Sequence, residues 1–122
     1  FTESYCGRCN RCVEACPTGA LIPYEVDARK CISYQTIENK GEYPETLKHL
    51  AGGRIFGCDV CQEVCPWNRK AKEHHVAEFL PKPEVIGLTE KDWQEMDEAY
   101  FKELFKDMPQ KRTGLEKIIR NL

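Results

Sequence analysis

The stretch Cys6-Gly7-Arg8-Cys9-Asn10-Arg11-Cys12-Val13-Glu14-Ala15-Cys16-Pro17 leaves this chain few ways to fold. Three cysteines at three-residue intervals, then a fourth just before a proline, have the spacing of a run that ligates four-iron clusters. A cubane needs four thiolates at tetrahedral corners, and one loop of backbone can supply three. Beyond the third cysteine the chain must turn away. In two-cluster proteins the fourth cysteine of such a run ligates the other cluster, so Cys16 is expected to cross over.

A second run, Cys58-Asp59-Val60-Cys61-Gln62-Glu63-Val64-Cys65-Pro66, repeats the pattern without its first cysteine, because Ile55 stands at that position. Cys31 sits alone between the runs. Seven cysteines from the runs plus Cys31 make eight, enough for two four-cysteine clusters. Cys58, Cys61 and the crossing Cys16 give one cluster three thiolates, and Cys31 is the only cysteine left to complete it. As a non-ligand it would behave as a small hydrophobe. Disulfides would require an oxidising compartment, and nothing here resembles a signal peptide. Zinc ribbons also use cysteines three apart, but the complete run is more specific than a bare Cys-x-x-Cys.

At 122 residues the chain is one domain, or one module of a longer protein. It opens Phe1-Thr2-Glu3-Ser4-Tyr5, without an initiator methionine, and a C-terminal portion of a longer chain is expected. The formal charge of −2 falls to about −6 once two oxidised clusters with their thiolates are counted. The chain as a whole therefore lacks a strongly basic nucleic-acid footprint. No apolar run is long enough to span a membrane.

Along the chain, residues 10–15 are expected to form a short helical turn ended by Pro17, and Leu21-Ile22-Pro23-Tyr24 a short extended piece. A helix is expected over about 27–38, with Cys31, Tyr34 and Ile37 near one face. Pro44-Glu45-Thr46-Leu47 should open another helix, closed by Gly52-Gly53. After Trp67 there are no cysteines. Thr89, with Asp92 three residues on, reads as a helix start. Trp93, Met96, Tyr100, Phe101, Leu104 and Phe105 follow at helical intervals as a core stripe, interrupted near Asp97. Thr113-Gly114-Leu115-Glu116 reads as a capping box before a last helix whose apolar face is expected to pack on something further. The pair His74-His75 in the charged connector reads as solvated.

Four-iron clusters with every iron ligated by thiolate favour electron relay over substrate chemistry, and no acid/base pair or nucleophile stands out. The stretches Cys6–Gly19, Asp27-Ala28-Arg29-Lys30-Cys31-Ile32-Ser33-Tyr34, Gly57–Asn68 and Lys111-Arg112-Thr113-Gly114 resemble the epoxyqueuosine reductase family. That resemblance implies a cobalamin-dependent iron–sulfur oxidoreductase that reduces epoxyqueuosine to queuosine in tRNA. It also implies that the cobalamin domain and the catalytic acid lie upstream of this chain, so that no catalytic residue carries over. By position, Cys6, Cys9, Cys12 and Cys65 match the ligands of one [4Fe-4S] cluster, and Cys16, Cys31, Cys58 and Cys61 those of the other. The implied partners are tRNA, the upstream cobalamin-binding domain and a low-potential donor such as flavodoxin or ferredoxin, in the cytoplasm.

The expected fold is α+β, mostly helical and bacterial-ferredoxin-like. A two-cluster domain with short strands over 1–68 precedes helices over 69–122, the start of a helical-repeat region. Lys106, Lys111, Arg112, Lys117 and Arg120 crowd the last residues. With the resemblance, Lys111, Arg112, Lys117 and Arg120 become candidates for contact with the tRNA backbone, against the plainer reading of a solvated face. Other readings are a free-standing two-cluster ferredoxin, the iron–sulfur part of a reductive dehalogenase, and a purely RNA-binding module, which eight cysteines disfavour.

Overall fold

The computed structural model describes residues 5–122. Its fold is α+β and mostly helical, with a single two-stranded sheet among the described residues. Helix α1 (Arg11–Ala15) lies inside the first cysteine run. It stops where Cys16 turns extended (φ −66°, ψ 115°), the conformation that the following Pro17 imposes. Strands β1 (Leu21–Ile22) and β2 (Glu25–Val26) pair antiparallel, Leu21 opposite Val26 and Ile22 opposite Glu25. Pro23 and Tyr24 make the turn between them, and Tyr24 takes φ 66°, where glycine or asparagine is usual.

The helix expected over about 27–38 is shorter and wider than its periodicity suggested. Residues 28–30 form a turn, helical geometry begins at Ile32, and Tyr34–Glu38 is a π-helix. In it the Asn39 N–H donates to the Tyr34 carbonyl five residues back, at 2.9 Å. The wider turn rotates the faces, so Ile32, Gln35 and Thr36 are buried while Tyr34 is exposed. Helix α2 (Glu45–Ala51) begins after Pro44 and ends at Gly52, whose left-handed φ of 59° reverses the chain. Helix α3 (Val60–Glu63) carries Cys61 and packs against α1.

The remaining helices build a second layer. After α4 (Pro83–Ile86), α5 (Glu90–Glu95) opens with a capping box in which the Thr89 hydroxyl accepts from the Asp92 N–H, and the Asp92 carboxylate accepts from the Thr89 N–H. Asp97 breaks the stripe and caps α6 (Glu98–Leu104) by accepting from the Tyr100 N–H at 2.7 Å. The expected capping box at Thr113 does not form. Thr113 instead closes α7 (Gln110–Thr113), Gly114 at φ 85° is the N-cap of α8 (Leu115–Asn121), and the Thr113 hydroxyl is buried without a hydrogen bond.

Trp93, Phe101, Leu104, Phe105, Leu115 and Ile118 form the larger core, against which Ile55 packs from the cysteine-bearing half. Trp93 stacks on Phe105 with ring centroids 5.5 Å apart, and Phe101 leans on the same ring at 4.9 Å. Of the apolar face of α8, Leu115 and Ile118 are buried within the chain, while Ile119 is exposed. A smaller core of Ile32, Tyr43 and Ala51 lies beneath the π-helix. Phe105 has no exposed surface. Its replacement by alanine is expected to destabilise the fold by about 3–5 kcal/mol, read from urea unfolding. A loss below about 1 kcal/mol would mean that the layer collapses around the missing ring.

Candidate metal centres

The eight cysteines are thiols with no disulfide among them. The structure gathers them around two cavities. The larger, of ≈ 430 Å³, is bordered by Cys6, Cys9, Cys12 and Cys65, with Cys61 also in its wall. The smaller, of ≈ 110 Å³, is bordered by Cys16, Cys31, Cys58 and Cys61. Cys61 and Leu21 stand in both walls, so the two cavities are neighbours. Cysteines supplied by three separate stretches of backbone meet here: α1 and α3 pack side by side, and Cys31 comes in from the segment that leads into the π-helix.

The donor set suits iron–sulfur clusters. The smaller cavity has four thiols in its wall and the larger five, Cys61 being shared, so each has at least the four ligands of a four-iron cubane. Among the described residues no three His, Cys, Asp or Glu side chains close on the position of a single ion. The thiols ring a volume instead, as a polyatomic cluster requires. Ala20, Leu21, Val26 and Ile32 line the smaller cavity together with its thiols and give it an apolar wall.

Cys16 has its own second layer of polar contacts. Burial pushes its thiol up, but the Thr18 hydroxyl, 3.7 Å from Sγ, and the backbone N–H groups of Thr18, Ala20 and Leu21 favour thiolate. The net effect lowers its pKa. N–H and O–H groups aimed at a ligating sulfur are also what tunes cluster potentials. Cys61 has a longer contact, Gln62 Nε2 at 3.8 Å from Sγ.

The rim of the larger cavity is apolar and open. Trp67 is 64% exposed and meets the Tyr5 ring at a centroid distance of 5.8 Å. Ile22, Tyr24 and Val26 are also exposed, across a cleft of ≈ 450 Å³ that runs between the hairpin and the Cys6–Cys12 loop. Arg8 borders that cleft and Arg11 the larger cavity.

The cations near the C-terminus do not make one outward patch. Arg112 forms a two-pronged pair with Glu38, at 2.6 and 2.9 Å, and this pair holds the Glu38 carboxyl below its usual range. Lys117 Nζ donates to the Ile37 carbonyl at 2.8 Å. Arg120 donates to the carbonyls of Gln35, Asn39 and Gly41. Burial lowers the pKa of both Lys117 and Arg120. Lys106 pairs with Glu103 at 2.9 Å, and Lys111 is exposed on α7. His74 and His75 are exposed, with His74 edge-on to Phe79. No helix of the described residues is long and apolar enough to cross a membrane.

Residues 5–68 match the model of the 4Fe-4S double cluster binding domain. The chain is 47% identical over 119 residues to an epoxyqueuosine reductase of Cellulophaga algicola, covering 97% of this chain and 39% of that protein. It is 48% identical over 120 residues to that of Leadbetterella byssophila, covering 98% and 39%. A crystal structure of epoxyqueuosine reductase with a tRNA-Tyr epoxyqueuosine-modified tRNA stem loop superposes with a TM-score of 0.89 at 38% identity, covering 98% of this chain and 32% of that one. The chain therefore spans about two fifths of the length of the curated relatives it matches.

Gly57, immediately before Cys58, takes φ 78°. An alanine methyl there would have room, its nearest neighbour being Ile37 Cδ1 at 3.9 Å, so the cost is conformational. Gly57→Ala is expected to lose about 1–2 kcal/mol in urea unfolding. An unchanged midpoint would show that this turn has another conformation available.

Proposed function

The chain belongs to the 4Fe-4S double cluster binding domain family, and on that premise we propose that it is the electron-transferring part of an epoxyqueuosine reductase. The observation that carries the reading is the gathering of all eight cysteines around two adjacent cavities, with Cys61 in both walls. Cys6, Cys9, Cys12 and Cys65 would hold one [4Fe-4S] cluster, and Cys16, Cys31, Cys58 and Cys61 the other. Bound there, the clusters would supply one-electron redox chemistry. The residues of this chain position the sulfurs, give the smaller cavity an apolar wall and hydrogen-bond Cys16.

In the whole protein an upstream domain would bind cobalamin, and the substrate would be epoxyqueuosine in tRNA. The exposed apolar residues Ile22, Tyr24 and Val26 of the hairpin cleft, together with Trp67 at the larger cavity, form the surface best suited to that domain. A contiguous apolar rim beside a redox site favours close, dry contact with the group that receives the electron. A flavodoxin or ferredoxin would be the donor, and the setting cytoplasmic. Residues 1–68 would be the cluster-binding part and 69–122 the start of a helical region. Lys111 is the C-terminal cation whose side chain stands clear for a phosphate, with Arg112, Lys117 and Arg120 reaching RNA only by leaving their present partners. Similarity to the relatives runs through the helical layer as well as the cysteine runs. This favours the reading over a free-standing two-cluster ferredoxin or part of a reductive dehalogenase.

Two experiments test the proposal. The chain reconstituted anaerobically should take up two four-iron clusters and be reducible, yet yield no queuosine from substrate tRNA with added cobalamin and reductant. Turnover near that of a whole reductase would overturn the division of labour. Cys31→Ala should lose iron and sulfide from one cluster only and give a three-iron EPR signal or none from it. Two intact clusters with unaltered spectra would remove Cys31 from the ligand set.

A further inference from the structure

Cys31 and Cys58 stand in one wall of the smaller cavity but belong to segments far apart in the chain. Metal–sulfur distances tolerate errors of only about 0.2 Å, so something must set the register of the two segments. The second run offers no cysteine at position 55 to do it. Ile55 instead sends its side chain into the helical core.

Two polar side chains stitch the segments together. Thr36 has no exposed surface, and its hydroxyl donates to the Ile32 carbonyl at 2.8 Å. The same oxygen accepts from the Gly57 N–H at 3.0 Å, one residue before Cys58. Asn121, 3% exposed at the end of α8, donates through Nδ2 to the Thr36 carbonyl at 2.9 Å and to the Ile55 carbonyl at 2.8 Å. Its amide is oriented by Arg120, whose Nη2 and Nε donate to Oδ1 at 2.9 and 3.2 Å. Arg120 also takes the Gln35 carbonyl at 2.6 Å. The last carbonyls of a short helical segment find no partner within it, and α8 supplies partners for those of the π-helix.

We propose that Asn121 and Thr36 are positioning residues for the second metal centre, holding the Cys31 and Cys58 segments in the register that closes its four-thiol cavity. The proposal rests on the iron–sulfur reading above. It makes the helical layer a structural component of the cluster site. Asn121 touches no sulfur. It acts on the backbone that carries the sulfurs, as outer partners of metal ligands do.

The test uses the full-length protein, purified anaerobically, with iron and sulfide content, EPR of each reduced centre and midpoint potentials as readouts. Asn121→Leu and Thr36→Val should retain about half the iron and sulfide, keeping the spectrum of the Cys6, Cys9, Cys12 and Cys65 centre. Thr36→Ser, which keeps the hydroxyl, should restore both. Asn121→Asp keeps the size but loses the donor, and it should shift the potential or lower the occupancy of the second centre alone. Ile118→Ala lies on the same helix, fully buried, and touches neither ligand segment by hydrogen bond. It should lower resistance to urea while leaving the ratio of the two centres unchanged. If Asn121→Leu does not accumulate, Thr36→Val against Thr36→Ser decides the matter. Two full centres with unshifted potentials in Thr36→Val, or equal loss of both, would overturn the proposal. A wild-type protein without two four-iron clusters would overturn the iron–sulfur reading instead.

Discussion

Bringing Cys16, Cys31, Cys58 and Cys61 to one small cavity is the constraint on which the other features depend. The four come from three separate segments, and sulfurs alone cannot hold backbone in place before metal arrives. The protein meets the constraint from both sides. Ala20, Leu21, Val26 and Ile32 line the space between the thiols from within. From outside, α8 takes up the carbonyls of the π-helix with Arg120 and Asn121. The π-helix itself follows from the same need. Its wider turn leaves Gln35 and Thr36 facing inward, where their polar groups meet partners from the loop before Cys58 and from the chain's far end.

Much of this architecture was legible in local spacing. The cysteine runs, the proline that ends α1, the Pro44 and Gly52 limits of α2 and the Thr89–Asp92 capping box each operate within a few residues. So does the break at Asp97. The aromatic stripe from Trp93 to Phe105 was readable as core because its period is that of an ordinary helix. Where spacing misled, the cause is physical. The period of 3.6 residues does not describe a π-helix, so the buried face of 32–38 was assigned to the wrong side chains. At Thr113 the residue types of a capping box were present, but Gly114 could take the left-handed conformation and became the N-cap itself.

The candidate site divides in the same way. Its thiols announce themselves, whereas the residues that orient their backbone do not. Thr18 carries a weak signal, standing two residues after a cysteine of the run. Thr36 and Asn121 carry none, since their partnership spans 85 positions. The C-terminal cations show what a cluster of Lys and Arg leaves open in sequence. Its residue types suit a solvated face or a phosphate surface, and main-chain carbonyls attract cations too. Lys117 and Arg120 found theirs on the π-helix. The boundary expected after residue 68 separates cysteine-bearing from cysteine-free sequence, yet hydrogen bonds cross it at Lys48, Thr36 and Ile55.

That crossing has a consequence for the order in which the protein matures. A ribosome delivers the chain from its N-terminal end. Cys6, Cys9, Cys12 and Cys65 have all emerged while the helical layer is still being synthesised, so the larger cavity can be furnished early. The smaller cavity has its four thiols almost as soon, but its outer scaffold ends at Asn121. On the ligand assignment proposed above, assembly would have a built-in sequence, with the larger cavity furnished first and the smaller completed only when α8 has been made and has folded back.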